Sequence, residues 1–274
     1  MEREVWDTLC KRLRHLRDRR PAKCQFTDQD IVRVFLWATL HDRPVVWACQ
    51  KRAWPHARRP LPSTATMSRR LRSLGVLVQL RRLLGRSDAT RLLAIDGKPL
   101  RVSRFSTDTQ ARTGYGAGQL DRGYKLHAVC TARGRVVSFS VRPMNESECV
   151  VGRRVLSRAT RPGSVTLGDA GYDSNALYEV ASSRGGRLLA PRRKPGRGLG
   201  HHRQHGGRVE AIALLEGDAR KRRQASRLRT VVERYFGWLT GVGGGSPPPW
   251  VRTLRRVGRW LLAKIVILDA KRWP

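Results

Sequence analysis

Three carboxylates stand where this sequence would present a metal ligand: Asp96, Asp169 and Glu233. Asp96 closes the apolar run Leu92-Leu93-Ala94-Ile95, which is too short for a helix and is followed by Gly97 and Pro99. Such a run reads as a buried strand. Asp169 repeats the arrangement after Ser164-Val165-Thr166-Leu167-Gly168. A carboxylate at the end of a core strand is held rigidly, and two such ends meet when the strands are parallel neighbours joined by a helical crossover. Glu233 stands among Val231, Val232, Tyr235, Phe236 and Trp238 on an apolar helix. Glu is rarely buried without a partner, so there it calls for a cation or an Arg. The plain alternatives are an ordinary turn aspartate at Asp96 and a simple helical ion pair between Glu233 and Arg229, four residues earlier. Three convergent carboxylates instead suit Mg²⁺ or Mn²⁺, and two such ions clamp the attacking and leaving oxygens of a phosphoryl displacement.

Positioning these groups requires an α/β fold, a mixed sheet with flanking helices. Tyr124 to Cys130 and Val136 to Val141 read as a strand pair across Ala132-Arg133-Gly134. Asn145 to Arg158 carries Glu146 and Glu148 early and Arg153, Arg154 and Arg158 late, which suits a helix dipole. A helix over 175–183, stopped by Gly185-Gly186, and a strand over 187–190 follow. Tyr172 is expected to pack, and Asp173 or Ser174 to cap that helix. Residues 91–242 form the catalytic domain, with 191–225 as a basic loop or insertion. A Gly/Pro linker and a basic amphipathic helix over Trp250 to Lys271 fill 243–274. Trp238, Trp250 and Trp260 read as core or interface residues.

Residues 1–90 read as a helical, basic, DNA-binding region. Thr27 is an N-cap candidate, Ile31, Phe35 and Ala38 share one face, and Ser63 or Thr64 caps a later helix that ends at Gly75. Arg69, Arg70 and Arg72 project from that helix, as in a helix-turn-helix module laid on DNA. A bundle with a solvated basic face fits the same pattern.

The charge points the same way. With 56 Lys and Arg against 21 Asp and Glu, the formal net charge is +35, and its natural counter-surface is a polyphosphate. The longest apolar stretch, Trp260 to Leu268, is interrupted by Lys264 and too short for a bilayer, and the N-terminus lacks a signal-peptide pattern. Cys10, Cys24, Cys49, Cys130 and Cys149 show no paired spacing, which suits a reducing compartment. His201, His202 and His205 are close in sequence but lack a second ligand cluster, which argues against zinc. The expected location is the cytoplasm, associated with the nucleoid when bound to DNA.

Four segments together carry a resemblance: Ala94-Ile95-Asp96-Gly97-Lys98, Gly123-Tyr124-Lys125-Leu126-His127, Gly168-Asp169-Ala170-Gly171-Tyr172-Asp173 and Arg229-x3-Glu233-Arg234-x-Phe236. They resemble the DDE transposases of bacterial insertion sequences over roughly residues 90 to 270. The resemblance implies an RNase H-like fold, with Asp96, Asp169 and Glu233 as the catalytic, metal-binding triad. It implies cleavage at the ends of a transposable element and attack of the freed 3′-hydroxyl on target DNA, by a homo-oligomer, expected as a dimer. Phosphate contacts are then expected from Arg229, Arg234, Lys125, His127, Lys221, Arg222 and Arg223. The family's Tyr-x2-Arg-x3-Glu-x6-Lys signature keeps Arg229 and Glu233 but has Ser226 and Thr240 at its outer positions. The short interval from Asp169 to Glu233 leaves no room for the large β-rich insertion of some relatives. A catalytically decayed DNA-binding copy and a plain RNase H-like nuclease are the alternatives.

Overall fold

The computed structural model describes residues 2–18, 24–55, 60–84, 90–116, 118–199 and 203–274. The chain divides into two compact units, Met1–Arg86 with Trp238–Pro274, and Ser87–Gly237.

The first unit is helical. It contains α1 (Glu2–Leu13), α2 (Asp28–Leu40), α3 (Val45–Ala48), α4 (Thr64–Arg70), α5 (Leu74–Arg82) and the C-terminal helix Leu254–Arg272. Thr27 starts α2 with a capping box: its hydroxyl accepts from the Asp30 N–H at 3.0 Å, and Asp30 accepts from the Thr27 N–H at 3.1 Å. Ser63 caps α4. Gly75 does not end that helix as expected, because a new helix, α5, begins at Leu74 and carries Gly75 in its first turn. Trp37 of α2 packs against Trp6 and Trp54, with ring centroids 4.6 and 4.9 Å away.

The C-terminal helix is not amphipathic. Every residue from Arg259 to Ala270 is buried, since the helix packs against α1, α2 and α5. Two of the charges it carries inward are paired, Lys264 with Asp42 at 2.6 Å and Asp269 with Arg12 at 2.6 Å, while buried Arg259 donates to the Leu71 carbonyl. Pairing is what lets a Lys and an Asp occupy a core.

The second unit is built on a six-stranded mixed sheet: β1 (Leu92–Arg101), β2 (Arg112–Gly116), β3 (Gln119–Thr131), β4 (Val136–Pro143), β5 (Val165–Leu167) and β6 (Arg187–Leu189). The order is β2-β3-β1-β5-β6, with β4 also paired to β3. The β1–β5 and β5–β6 pairings are parallel; the others are antiparallel. Helix α6 (Glu148–Ala159) and helix α7 (Asn175–Ser183) supply the crossovers. Their apolar faces, with Val155, Leu156, Leu177 and Tyr178, join Leu93, Ile95 and Val129 of the sheet in one core. Gly123 lets β3 run close to β1, because a Cβ there would collide with the Leu100 carbonyl oxygen.

Two expectations change. β1 does not end at Asp96. It continues to Arg101 on β3, and only its parallel pairing with β5 stops, at Ala94 opposite Leu167. Pro99 therefore falls where that side of β1 is an edge and a missing N–H is tolerated. The stretch 191–225 is also not simply a basic loop, since it holds α8 (Gly206–Gly217) and the start of α9 (Ala219–Gly241). Ala211, Ile212 and Leu215 bury one face of α8, which contacts β6 and α7. Their i, i+1, i+4 spacing lies within an otherwise polar run.

Candidate active site

The alternation of β1 sends Leu93 and Ile95 into the core under α6 and α7 and turns Asp96 to the opposite face. The parallel rung Ala94–Leu167 sets the register with β5, and both Asp96 and Asp169 lie two residues beyond it. One Asp96 oxygen accepts from the Gly97 N–H at 2.7 Å, and one Asp169 oxygen from the Gly171 N–H at 2.9 Å. Each carboxylate is thus fixed by a backbone donor and keeps a second oxygen.

Arg229 of α9 reaches across to the pair. Its guanidinium lies 3.2 Å from Asp96 Oδ2 and 2.7 Å from Glu233 Oε1. The helical ion pair with Glu233 therefore forms, and it extends to Asp96. Glu233 is largely exposed, its side chain 48% accessible, against 17% for Asp96. Burial raises the Asp96 carboxyl to about 6; the Gly97 N–H opposes this, Asp169 and Glu233 push further up, and Arg229 pulls down. Burial also raises Asp169, helped by the charge of Glu148.

Glu148, read from the sequence only as a dipole-matching residue at the front of α6, is a site residue. A Cβ on Gly171 would collide with its Oε2 and lie 2.9 Å from Asp169 Oδ1, so the two carboxylates share the space before Gly171. Glu148 is paired with Lys125 Nζ at 3.0 Å. Beside it, His127 Nδ1 lies 3.0 Å from the Tyr172 hydroxyl, with both residues fully buried. Burial lowers His127 to about 4, so this ring stays neutral at physiological pH. The available signal was the strand period that puts Lys125 and His127 on one face, opposite Pro99 and Gly97. Nothing local announced that the first turn of α6 crosses in front of them.

The residues expected to touch DNA separate into two groups. Lys125 and His127 are buried behind the carboxylates, and Arg70 is turned inward, 2.6 Å from Asp28 and bonded to the Phe26 carbonyl. Burial and pairing take these three out of reach of a phosphate. Arg69 and Arg72 on one unit, and Lys221, Arg222, Arg223 and Arg234 on α9, are exposed. Asp173 does not cap α7, whose N-cap position is Ser174; its carboxylate is held by Arg208 of α8 through two 2.7 Å bonds and accepts from the Arg193 N–H at 3.0 Å. His201 and His202 lie outside the described residues, while His205 caps α8. Trp260 is buried, Trp238 lies under the Arg272 guanidinium at 3.8 Å, and Trp250 is 43% exposed.

Among the described residues, no three His, Cys, Asp or Glu side chains are gathered closely enough to hold a metal ion. The donor chemistry nevertheless fits a hard divalent cation. Asp169 and Glu233 push the Asp96 carboxyl up, Glu148 pushes Asp169 up, and Arg229 is the positive charge that pulls both down.

A mixed sheet with paired carboxylates beside its parallel strands and helices on its faces is the RNase H-like class. Within that class, the model of the family described as Transposase DDE domain matches residues 87–268, more than half of the chain. The chain belongs to that family, whose activity is transposition by phosphoryl transfer on nucleic acid and whose members use divalent metal ions. No curated protein matches the chain. No described helix is long and apolar enough to cross a membrane.

Proposed function

We infer that this chain cuts DNA at the ends of its element and transfers the freed 3′-hydroxyl into target DNA, with Asp96, Asp169 and Glu233 holding two Mg²⁺ or Mn²⁺ ions. The observation that carries this reading is the strand register, which sets Asp96 and Asp169 two residues past the same parallel rung. Metal ions bound there would neutralise phosphate charge and activate the attacking oxygen.

The chain's own residues do the rest. The Gly97 and Gly171 N–H groups hold each aspartate with one oxygen outward. Glu148, tied to Lys125, keeps negative charge beside Asp169. Arg229, on leaving Asp96, becomes a phosphate partner, and Lys221, Arg222, Arg223 and Arg234 hold the backbone along α9. In cleavage, a water oxygen bonds to phosphorus as the strand's 3′ oxygen leaves and takes a proton. In transfer, that 3′-hydroxyl oxygen bonds to the target phosphorus and the target's own 3′ oxygen leaves. Residues 1–90 bind the terminal repeat, 91–242 cut, and 243–274 close the helical part; the active form is a dimer on DNA in the cytoplasm.

The test uses DNA flanking the reading frame. The wild type should nick and join it only with Mg²⁺ or Mn²⁺ present, while Asp96→Asn should bind it without cutting. An Asp96→Asn protein that still cuts refutes the assignment. Hydrolysis without joining would mark a plain nuclease, and binding without nicking a decayed copy.

A further inference from the structure

The helical unit holds a cleft of about 470 Å³, built within that unit alone. Its walls include Arg72, Arg255, Arg256 and Arg259, together with the rings of Trp250 and Trp260. None of the described residues that line it is acidic. Two of the arginines are fixed by backbone: Arg255 donates to the Arg72 carbonyl and Arg259 to the Leu71 carbonyl. The guanidinium groups thus converge by construction.

That convergence is electrostatically unfavourable without an anion. Arg259 is buried, and its pKa falls to about 10, first by burial and then by Arg255, Arg256 and Arg72. Four like charges around one hollow lack a counter-charge from the walls, and phosphate is the anion whose geometry guanidinium matches best. Trp250 adds the second half of the ligand: a large indole left 43% exposed at the cleft, where a base can stack. The volume falls in the range that encloses one small organic ligand. It is of a size for a single nucleotide.

The geometry points to this cleft as a site for one unpaired nucleotide of a DNA strand, its phosphate among Arg72, Arg255 and Arg256 and its base on Trp250. This rests on the reading of the protein as acting on DNA. The test is a titration of the full-length protein against two labelled duplexes of one sequence, fully paired and with a single bulged 2-aminopurine. The wild type should prefer the bulged duplex about tenfold, the size of one base–aromatic stack, and quench the 2-aminopurine. Trp250→Ala and Arg256→Ala, both at exposed positions, should each abolish the preference while binding the paired duplex as before. Trp250→Phe should keep most of it. Equal binding of both duplexes by the wild type, or a preference that survives either substitution, overturns the proposal. Failure to bind even the paired duplex would bring down the DNA reading itself, and the two failures are therefore distinct.

Discussion

Replacing Asp96 by Asn should stabilise the metal-free protein while destroying its proposed activity. The Asp96 carboxyl is raised from 3.8 to about 6, chiefly by burial, with Asp169 and Glu233 adding repulsion. A shift of that size corresponds to about 3 kcal/mol against the ionised form at neutral pH. The side chain is 17% exposed, so part of this is screened, and about half should be recovered by a neutral amide. That is a rise in melting temperature of roughly 5 °C. The pH dependence fixes the cause. Between pH 3.8 and about 6 the folded carboxyl keeps a proton that the unfolded chain has lost. Wild-type stability from this group therefore falls as pH rises through that window, whereas Asp96→Asn lacks the effect. The gap between the two proteins should be small in acid and full at neutral pH. Added Mg²⁺ should stabilise the wild type and narrow the gap. Thermal melts in chelator across this range test it. A variant that melts below the wild type at neutral pH, or a gap that ignores pH, would refute the reasoning.

Four further expectations follow from the two units. Glu148→Gln removes the charge that helps raise Asp169 and leaves Lys125 without its 3.0 Å partner. It should lower the Asp169 pKa, read by carboxyl NMR, and destabilise the fold by about 1–3 kcal/mol in urea. His127 resists protonation until about pH 4, whereas the unfolded chain accepts a proton near 6.5. Acid should therefore destabilise the wild type by about 3 kcal/mol in total across that window, and His127→Gln should flatten the dependence of the urea midpoint. Arg70→Ala breaks a pair with Asp28 in which both side chains are buried, so its loss should appear as about 3–5 kcal/mol of stability. Arg69→Ala, at an exposed position, should leave stability alone and reduce the salt slope of DNA binding by about one.

The sequence could be read furthest where local pattern and final placement coincide. The apolar runs before Asp96 and Asp169 form parallel neighbours, although β2, β3 and β4 as well as α6 intervene between them in the chain. Glu233, expected to be buried on an apolar helix, is instead 48% exposed, and what it meets is the plain helical ion pair with Arg229 at 2.7 Å. Other features depend on tertiary approach and left no periodic trace. Glu148 reaches Asp169 only because α6 crosses β3, and Arg70 looks like any basic helix residue until Asp28 faces it. The C-terminal helix looked amphipathic because Lys264 and Asp269 count as polar, although Asp42 and Arg12 neutralise both in the core. β1 outran its expected end because Gly97 and Pro99, usual stop signals, are tolerated where only β3 flanks the strand.

The most direct test of the account is to soak Mn²⁺ into crystals of this chain and locate it by anomalous scattering. The account predicts density about 2.1 Å from carboxylate oxygens of both Asp96 and Asp169, with Arg229 displaced from Asp96. Saturating Mn²⁺ that avoids both aspartates, with Arg229 still joining Asp96 to Glu233, would contradict it.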